Sequence, residues 1–484
     1  MDFFINQAMG LGNSGVEHAE FYRAKRFKDE NIPYKFVFVS LVPELHQAMK
    51  KWHLHRDEVI NMWEYFTLGE KYLADGLPRR TKPKKAVTIT DSSNTIRLKH
   101  IYTDSGMHIV EHFVKEKNKQ KPESKVLVVR VFKVEIFNAK TNELKATYEI
   151  TNSENVESQV QNIHLFNQAG HHLFFANLVK LHRYFFEILD RFFGGQSNFY
   201  IDRGDFVDEA LVPHKIPNSK IIGIIHADHL ADRNDPTKPL WNNYYEYMFR
   251  HLEGFDRIVV ATELQRQDIL VDFPKEGARF VTIPVGGLTL QQHHPHKTEL
   301  KSLKLITASR LAAEKHIDIA IKAVVALHNA GQKISFAIYG QGEKKDELAK
   351  LIKDNHAEDY IELKGLSDSL AQIYPQYDAF ISTSFSEGFG LTYIEALNAG
   401  LPVVTFKARF GSMAMIKDGQ NGFLQELKRD DDQFNVDQII KGLNRLLAAD
   451  YPKLCAQTQV GMEKFSNETI ARSWRKLVDG LRVS

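Results

Sequence analysis

The chain has 484 residues, enough for at least two packed cores. Its 43% hydrophobic and 26% charged residues suit a globular protein, and 63 Lys+Arg against 61 Asp+Glu leave a net charge of +2, which argues against nucleic acid as a partner. One cysteine, Cys455, excludes an intrachain disulfide framework or a cysteine-built zinc site and fits a reducing cytosol.

The N-terminus lacks the basic region, apolar stretch and cleavage site of a signal peptide. It reads as a strand over 2–8, a glycine turn, a helix over 15–31 and a strand over 34–40. That is one βαβ unit, so a parallel sheet opens the chain. In the turn, Gly10-Leu-Gly12-Asn13-Ser14-Gly15-Val-Glu17, glycines allow close backbone approach, and Asn13 or Ser14 caps the helix. The dinucleotide spacing and a Walker lysine are both missing, which argues against a P-loop ATPase. Arg79, Arg80, Lys82, Lys84 and Lys85 form a basic run. It reads as a solvated face, with anionic lipid or a polyanionic acceptor as the alternative.

Strand-length apolar runs separated by polar turns over 86–165 read as an antiparallel meander inserted into the first α/β domain. The stretch 171–193 is apolar at three- and four-residue spacing, as on an amphipathic core helix. Lys180, Arg183, Glu187, Asp190 and Arg191 exclude a membrane span there. A strand over 220–226 ends in His226-Ala-Asp228-His229. Two histidines alone make a poor metal site, so hydrogen bonding to a sugar or to the reacting centre is the better reading of His226. A strand over 280–284 closes the first domain, and a polar linker with His293, His294 and His296 reads as solvated.

A second doubly wound domain follows, with strands over 303–308, 334–339, 360–364, 378–383 and 402–406. The division is 1–85 with 166–290 as the first Rossmann-like domain, 86–165 as the meander, 303–465 as the second domain, and a helix over 466–484 that crosses back. Ligands of open parallel sheets bind outside the strand C-termini, in this reading in a cleft between facing domains. Arg310 and Lys315 follow the first strand of the second domain, as cations suited to a diphosphate. Gly340 and Gly342 form a strand-to-helix turn, and Leu366 follows the next strand, where backbone groups can meet a nucleoside. Glu387-Gly-Phe389-Gly390-Leu391 then turns the fourth strand into a helix carrying Glu395. Backbone N–H groups and the positive helix end suit a phosphate, while two carboxylates suit sugar hydroxyls.

Together these residues resemble glycosyltransferase family 4, with its GT-B fold of two Rossmann-like domains. The pair Glu387 and Glu395 matches its E-x7-E signature, and Arg310 with Lys315 its donor-diphosphate element. Ser14-Gly-Val-Glu17, the meander, His226-Ala-Asp-His229, Leu240-Trp-Asn-Asn-Tyr-Tyr245, Val260-Ala-Thr-Glu263 and the runs over 308–318 and 386–392 narrow the resemblance. They are similar to the catalytic subunits of bacterial O-GlcNAc transferases acting on serine-rich adhesins. The resemblance implies retaining transfer from a UDP-sugar, UDP-GlcNAc in particular, to Ser/Thr hydroxyls of a serine-rich protein. Lys315 and Arg310 would then stabilise UDP, aided by the backbone of Phe389, Gly390 and Leu391. Glu387 would hold the donor sugar, Glu395 the ribose, and His226 the sugar from the other domain. Gly12, Asn13, Ser14 and Gly15 would close over phosphates or acceptor. No metal and no covalent nucleophile are implied.

The same resemblance implies that the meander binds acceptor or a GtfB-like partner subunit. With the single cysteine, the expected location is cytoplasmic, at most peripheral at the inner membrane face. Two alternatives remain: a teichoic-acid α-glycosyltransferase acting on polyol phosphate, and a non-catalytic GtfB-like acceptor-binding subunit. Lys407-Ala-Arg409-Phe-Gly411 departs from the family's aromatic-Gly-Asn or Gly-Pro pattern, which puts acceptor or local loop contacts at issue.

Overall fold

The computed structural model describes residues 1–12, 14–76, 87–91, 97–118, 123, 125–153, 156–232, 238–291, 299–367 and 369–483. Asn13, the basic run over 79–85 and the histidines His293, His294 and His296 lie outside the described residues. Contacts divide the chain into two compact units. One comprises Met1–Phe21, Asn31–Ile224 and Asn243–Arg257, and the other Tyr22–Glu30, Ile225–Asn242 and Ile258–Ser484.

In the first unit, strand Asp2–Asn6 is buried along its whole length, as expected of a central parallel strand covered on both faces. It pairs in parallel with Tyr34–Phe38 on one side and Asn198–Ile201 on the other. Val59–Asn61 extends the first side and Lys220–Ile225 the second. Strand order therefore reverses beside Asp2–Asn6, which makes a topological switch point. Phe3, Phe4, Phe36, Phe38, Phe199 and Tyr200 form the aromatic core at this point. Asn198–Ile201 is a strand that sequence reading left out.

The antiparallel meander is present and longer than expected. Val87–Asp91, Arg97–Tyr102, Met107–Lys117, Leu127–Asn138, Leu144–Ser153, Val156–Gln168 and His171–Asn177 form a seven-stranded sheet in chain order. The last strand occupies the start of the stretch read as helix. Leu173 pairs with Leu165 and Phe175 with Ile163, a two-residue period that the run of large apolar residues concealed. Helix Leu178–Phe192 begins where Asn177 accepts the Lys180 N–H at 3.1 Å. Met107, Ile109, Ile136, Ala146, Ile163 and Leu165 are the buried face of the sheet. Trp63, on helix Met62–Leu68, packs on Tyr148 at 5.1 Å, and Gln168 donates to the Phe66 carbonyl at 3.0 Å.

The second unit holds a six-stranded parallel sheet. Its order is Ile361–Gly365, Ile334–Tyr339, Leu303–Ala308, Ala379–Ser382, Val403–Phe406, Gly422–Gln425. In chain order that is third, second, first, fourth, fifth, sixth, a doubly wound sheet whose switch point lies between Leu303–Ala308 and Ala379–Ser382. Gly422–Gln425 was not foreseen. The segment Ile225–Asn242, with His226, belongs to this unit, although sequence reading gave it to the first domain. Helix Asn467–Val483 packs on Tyr22–Glu30: Trp474 meets Phe27 at 5.8 Å, and the Tyr22 hydroxyl donates to Asn467 at 2.9 Å. Among the described residues no helix is long and apolar enough to cross a membrane.

Candidate active site

The first and fourth strands of the six-stranded sheet deliver Lys315 and Glu387 to the switch point. After Leu303–Ala308 the chain makes a short 3-10 turn, Ala313–Lys315. Thr383, just past Ala379–Ser382, donates to the Lys315 carbonyl at 3.1 Å and ties the two strand tips together. Lys315 Nζ forms an ion pair with Glu387 Oε1, and Ser384 Oγ donates to the same oxygen at 3.2 Å. The two side chains are 16% and 19% exposed. That shielding strengthens the pair relative to a surface bridge while leaving each group reachable. The Glu387 backbone is fixed as well. Its N–H donates to the Arg409 carbonyl at 2.9 Å, and its carbonyl accepts from Gly411 at 2.8 Å.

Glu395 sits little more than one turn into helix Leu391–Asn398. Burial pushes its carboxyl up from the usual range, against the opposing hydrogen bond that the Tyr374 hydroxyl donates to Oε2 at 3.2 Å. Gly390 begins this helix with φ 84°, and a Cβ there would stand 2.4 Å from the Tyr393 ring. Phe389 is buried against Phe465 at 5.8 Å, so its side chain serves the core and only its backbone faces the turn.

Arg310 does not join Lys315 and Glu387. Its exposed side chain pairs with Glu314 at 2.5 Å. Gly340 and Gly342 pack closely on the protein itself. A Cβ on Gly340 would lie 1.9 Å from the Ser309 carbonyl oxygen, and one on Gly342 2.3 Å from that of Leu311. These glycines admit the Arg310 loop, which is stitched to theirs by Leu311 N–H to Gln341 O and Lys344 N–H to Leu311 O, both 2.9 Å. Gly365 accepts from the Gly340 N–H at 2.8 Å, and Leu366 beyond it is exposed.

His226 lies beside the Glu387 turn. A Cβ on Gly388 would stand 2.5 Å from the His226 carbonyl oxygen, so only glycine allows this approach. Asp228 and His229 face Asp268 and Arg409 rather than forming a metal pair with His226. Among the described residues no cluster of three or more His, Cys, Asp or Glu is placed to hold a metal ion.

In the first unit, Ser14 and Glu17 tie the loop to the start of helix Gly15–Asp29. Ser14 Oγ accepts from Val16 N–H at 3.2 Å, and Glu17 Oε2 accepts from Ser14 N–H at 2.7 Å. Burial acts to raise the Glu17 carboxyl, but the Ser14 bonds and nearby Arg203 outweigh it and hold the group below its ordinary value. Arg203 Nη2 also donates to Ser14 Oγ at 2.9 Å, across that unit's switch point. Nothing lies within 4 Å of a Cβ built on Gly12 or Gly15. Sequence reasoning missed Tyr374, Ser384, Asp268 and the use of Arg409, because long-range contacts leave no periodic signal.

The family model described as "Glycosyl transferases group 1" matches residues 290–458. A relative from Streptococcus gordonii, the "UDP-N-acetylglucosamine--peptide N-acetylglucosaminyltransferase GtfA subunit", is 30% identical over 451 residues, covering 87% of this chain and 86% of that protein. The crystal structure of the pneumococcal O-GlcNAc transferase GtfA in complex with UDP and GlcNAc is 25% identical, covers 100% of this chain and 99% of its own, and has a TM-score of 0.69. A GtfA/B complex matches at 25% identity and TM-score 0.75, with 100% of both chains covered. The chain belongs to the group 1 glycosyltransferases, in the branch of the GtfA subunits, and has their GT-B fold.

Proposed function

We propose that this chain is a retaining transferase moving GlcNAc from UDP-GlcNAc to Ser/Thr hydroxyls of a serine-rich protein, with a GtfB-like partner subunit. The observation that carries this reading is the Lys315–Glu387 pair at the switch point of the doubly wound sheet. A departing nucleoside diphosphate gains negative charge. Lys315, a point charge tethered at the strand tip, meets that charge, and Arg310 adds a second cation once it turns from Glu314. Backbone N–H groups of Gly390 and Leu391, at the helix start, take further phosphate oxygens.

Glu387 accepts from donor-sugar hydroxyls while it still holds Lys315. Glu395 accepts from the ribose, and His226 contacts the sugar. On the same face of the ring, the sugar–phosphate C–O bond breaks as the acceptor oxygen bonds to the anomeric carbon. The leaving phosphate oxygen takes the acceptor proton. This route needs no metal, since fixed cations carry the charge, and no covalent nucleophile. The reading places the chain in the cytoplasm, at most peripherally at the inner face of the membrane.

Incubation with a panel of UDP-sugars and either a serine-rich peptide or polyol phosphate tests it. UDP release and peptide modification with UDP-GlcNAc are expected. Transfer to polyol phosphate alone rejects the protein acceptor, and no turnover of any UDP-sugar rejects the reading.

A further inference from the structure

Arg409 lies in the run that departs from the family pattern, and its surroundings give it a task. Its guanidinium sits between two carboxylates, with Nη2 2.6 Å from Asp268 Oδ2 and Nε 3.8 Å from Asp228 Oδ2. The same two acids flank the imidazole of His229, at 3.3 Å from Asp268 and 3.8 Å from Asp228. That ring is fully buried and stacks on Phe410 at 5.5 Å. The guanidinium lies over Phe410 as well, at 4.5 Å.

The main chain of the same residues grips the Glu387 turn. Arg409 O accepts from the Glu387 N–H, and the Phe410 and Gly411 N–H groups donate to Glu387 O. Gly388 lies so near the His226 carbonyl oxygen that an added Cβ would stand 2.5 Å from it. The His226 turn is itself held: Gln265 Nε2 donates to Ala227 O at 2.7 Å, and Asn242 Nδ2 to Asp228 O at 3.1 Å.

We propose that Arg409 is a positioning residue. By bridging Asp228 and Asp268 with its side chain while its backbone holds Glu387, it clamps the His226 turn to the Glu387 turn and sets the spacing of the two groups. The proposal rests on the functional reading above only for what those groups do. Removing the guanidinium leaves two carboxylates facing each other beside a buried ring, and the clamp opens. Misplacement of groups around a reacting centre falls mainly on the chemical step.

The test uses the full chain. Arg409→Ala is expected to lower kcat for UDP-GlcNAc hydrolysis about 10²-fold, with the Kd for UDP kept within about twofold by calorimetry. Arg409→Lys should regain part of the loss. Gly388→Ala, which attacks the clamp from its other side, should show the same kcat-only defect. Asp268→Ala combined with Arg409→Ala should cost no more than either alone, since both remove one bridge. Hydrogen exchange of the Arg409→Ala variant should speed up together at residues 226–230 and 386–389.

Exchange changes confined to residues 407–411, or a UDP Kd that weakens in step with kcat, would overturn the clamp. If the parent protein turns over no UDP-GlcNAc, the functional reading fails instead. The exchange experiment still decides the clamp in that case.

Discussion

The Tyr374 hydroxyl reaches Glu395 Oε2 at 3.2 Å from a ring with no exposed surface. The ring meets Phe380 at 6.0 Å within the buried cluster that also holds Ile306 and Ile394, so the hydroxyl has a fixed aim. A carboxylate so anchored presents its remaining lone pairs in one direction. Tyr374→Phe should therefore raise the KM for UDP-GlcNAc about tenfold, as for loss of one hydrogen bond to a charged group, with kcat little changed. With a donor analogue lacking the ribose hydroxyls, the penalty should vanish. A penalty that persists with that analogue assigns Tyr374 to the core alone.

Asp208 gives a prediction about stability and pH. It is buried in helix Phe206–Leu211, and its Oδ1 has no hydrogen-bond partner among the described residues. Burial first, then Asp205 and Glu209, push its pKa up from 3.8 to about 8. Between those values the folded chain binds a proton that the unfolded chain has lost. Its contribution is thus fully present below pH 3.8, declines as pH rises, and is gone above pH 8. Asp208→Asn mimics the neutral form, so the gain in Tm over the parent should be larger at pH 8.5 than at pH 5. A pH-independent difference would show that Asp208 is ionised in the folded protein.

Two glycines that read alike in sequence should behave in opposite ways. Gly340 has φ 139° and abuts the Ser309 carbonyl, so Gly340→Ala should destabilise the protein by about 2 kcal/mol or more. Because it displaces the Arg310 loop, it should also raise the KM for the donor. Gly12→Ala meets nothing within 4 Å and should leave Tm unchanged. Thermal denaturation of the two variants decides between them.

Local pattern made much of this architecture legible. Leu303–Ala308 and Ile334–Tyr339 follow from apolar runs bounded by turn residues, and both termini agree with the sequence reading. The Lys315–Glu387 meeting follows from two strand tips flanking a switch point. His171–Asn177 was hidden because contiguous Leu173, Phe174 and Phe175 fit either period. The packing of Gly340 and Gly342 on the Arg310 loop was not legible, because sequence shows that a backbone comes close without showing which backbone. The Arg409–Asp268 bridge spans 141 residues, and such a pair has no signature in a single chain.

If Lys315 and Glu387 together hold and activate a UDP-sugar, losing either must slow its cleavage. The rate of UDP release from UDP-GlcNAc by the parent, Lys315→Ala and Glu387→Gln is the deciding quantity, after circular dichroism confirms that all three are folded. Each substitution should slow release by about 10²-fold or more, since each removes a preorganised charge from the site. Release at the parent's rate by both variants would show that this pair does not act on the donor.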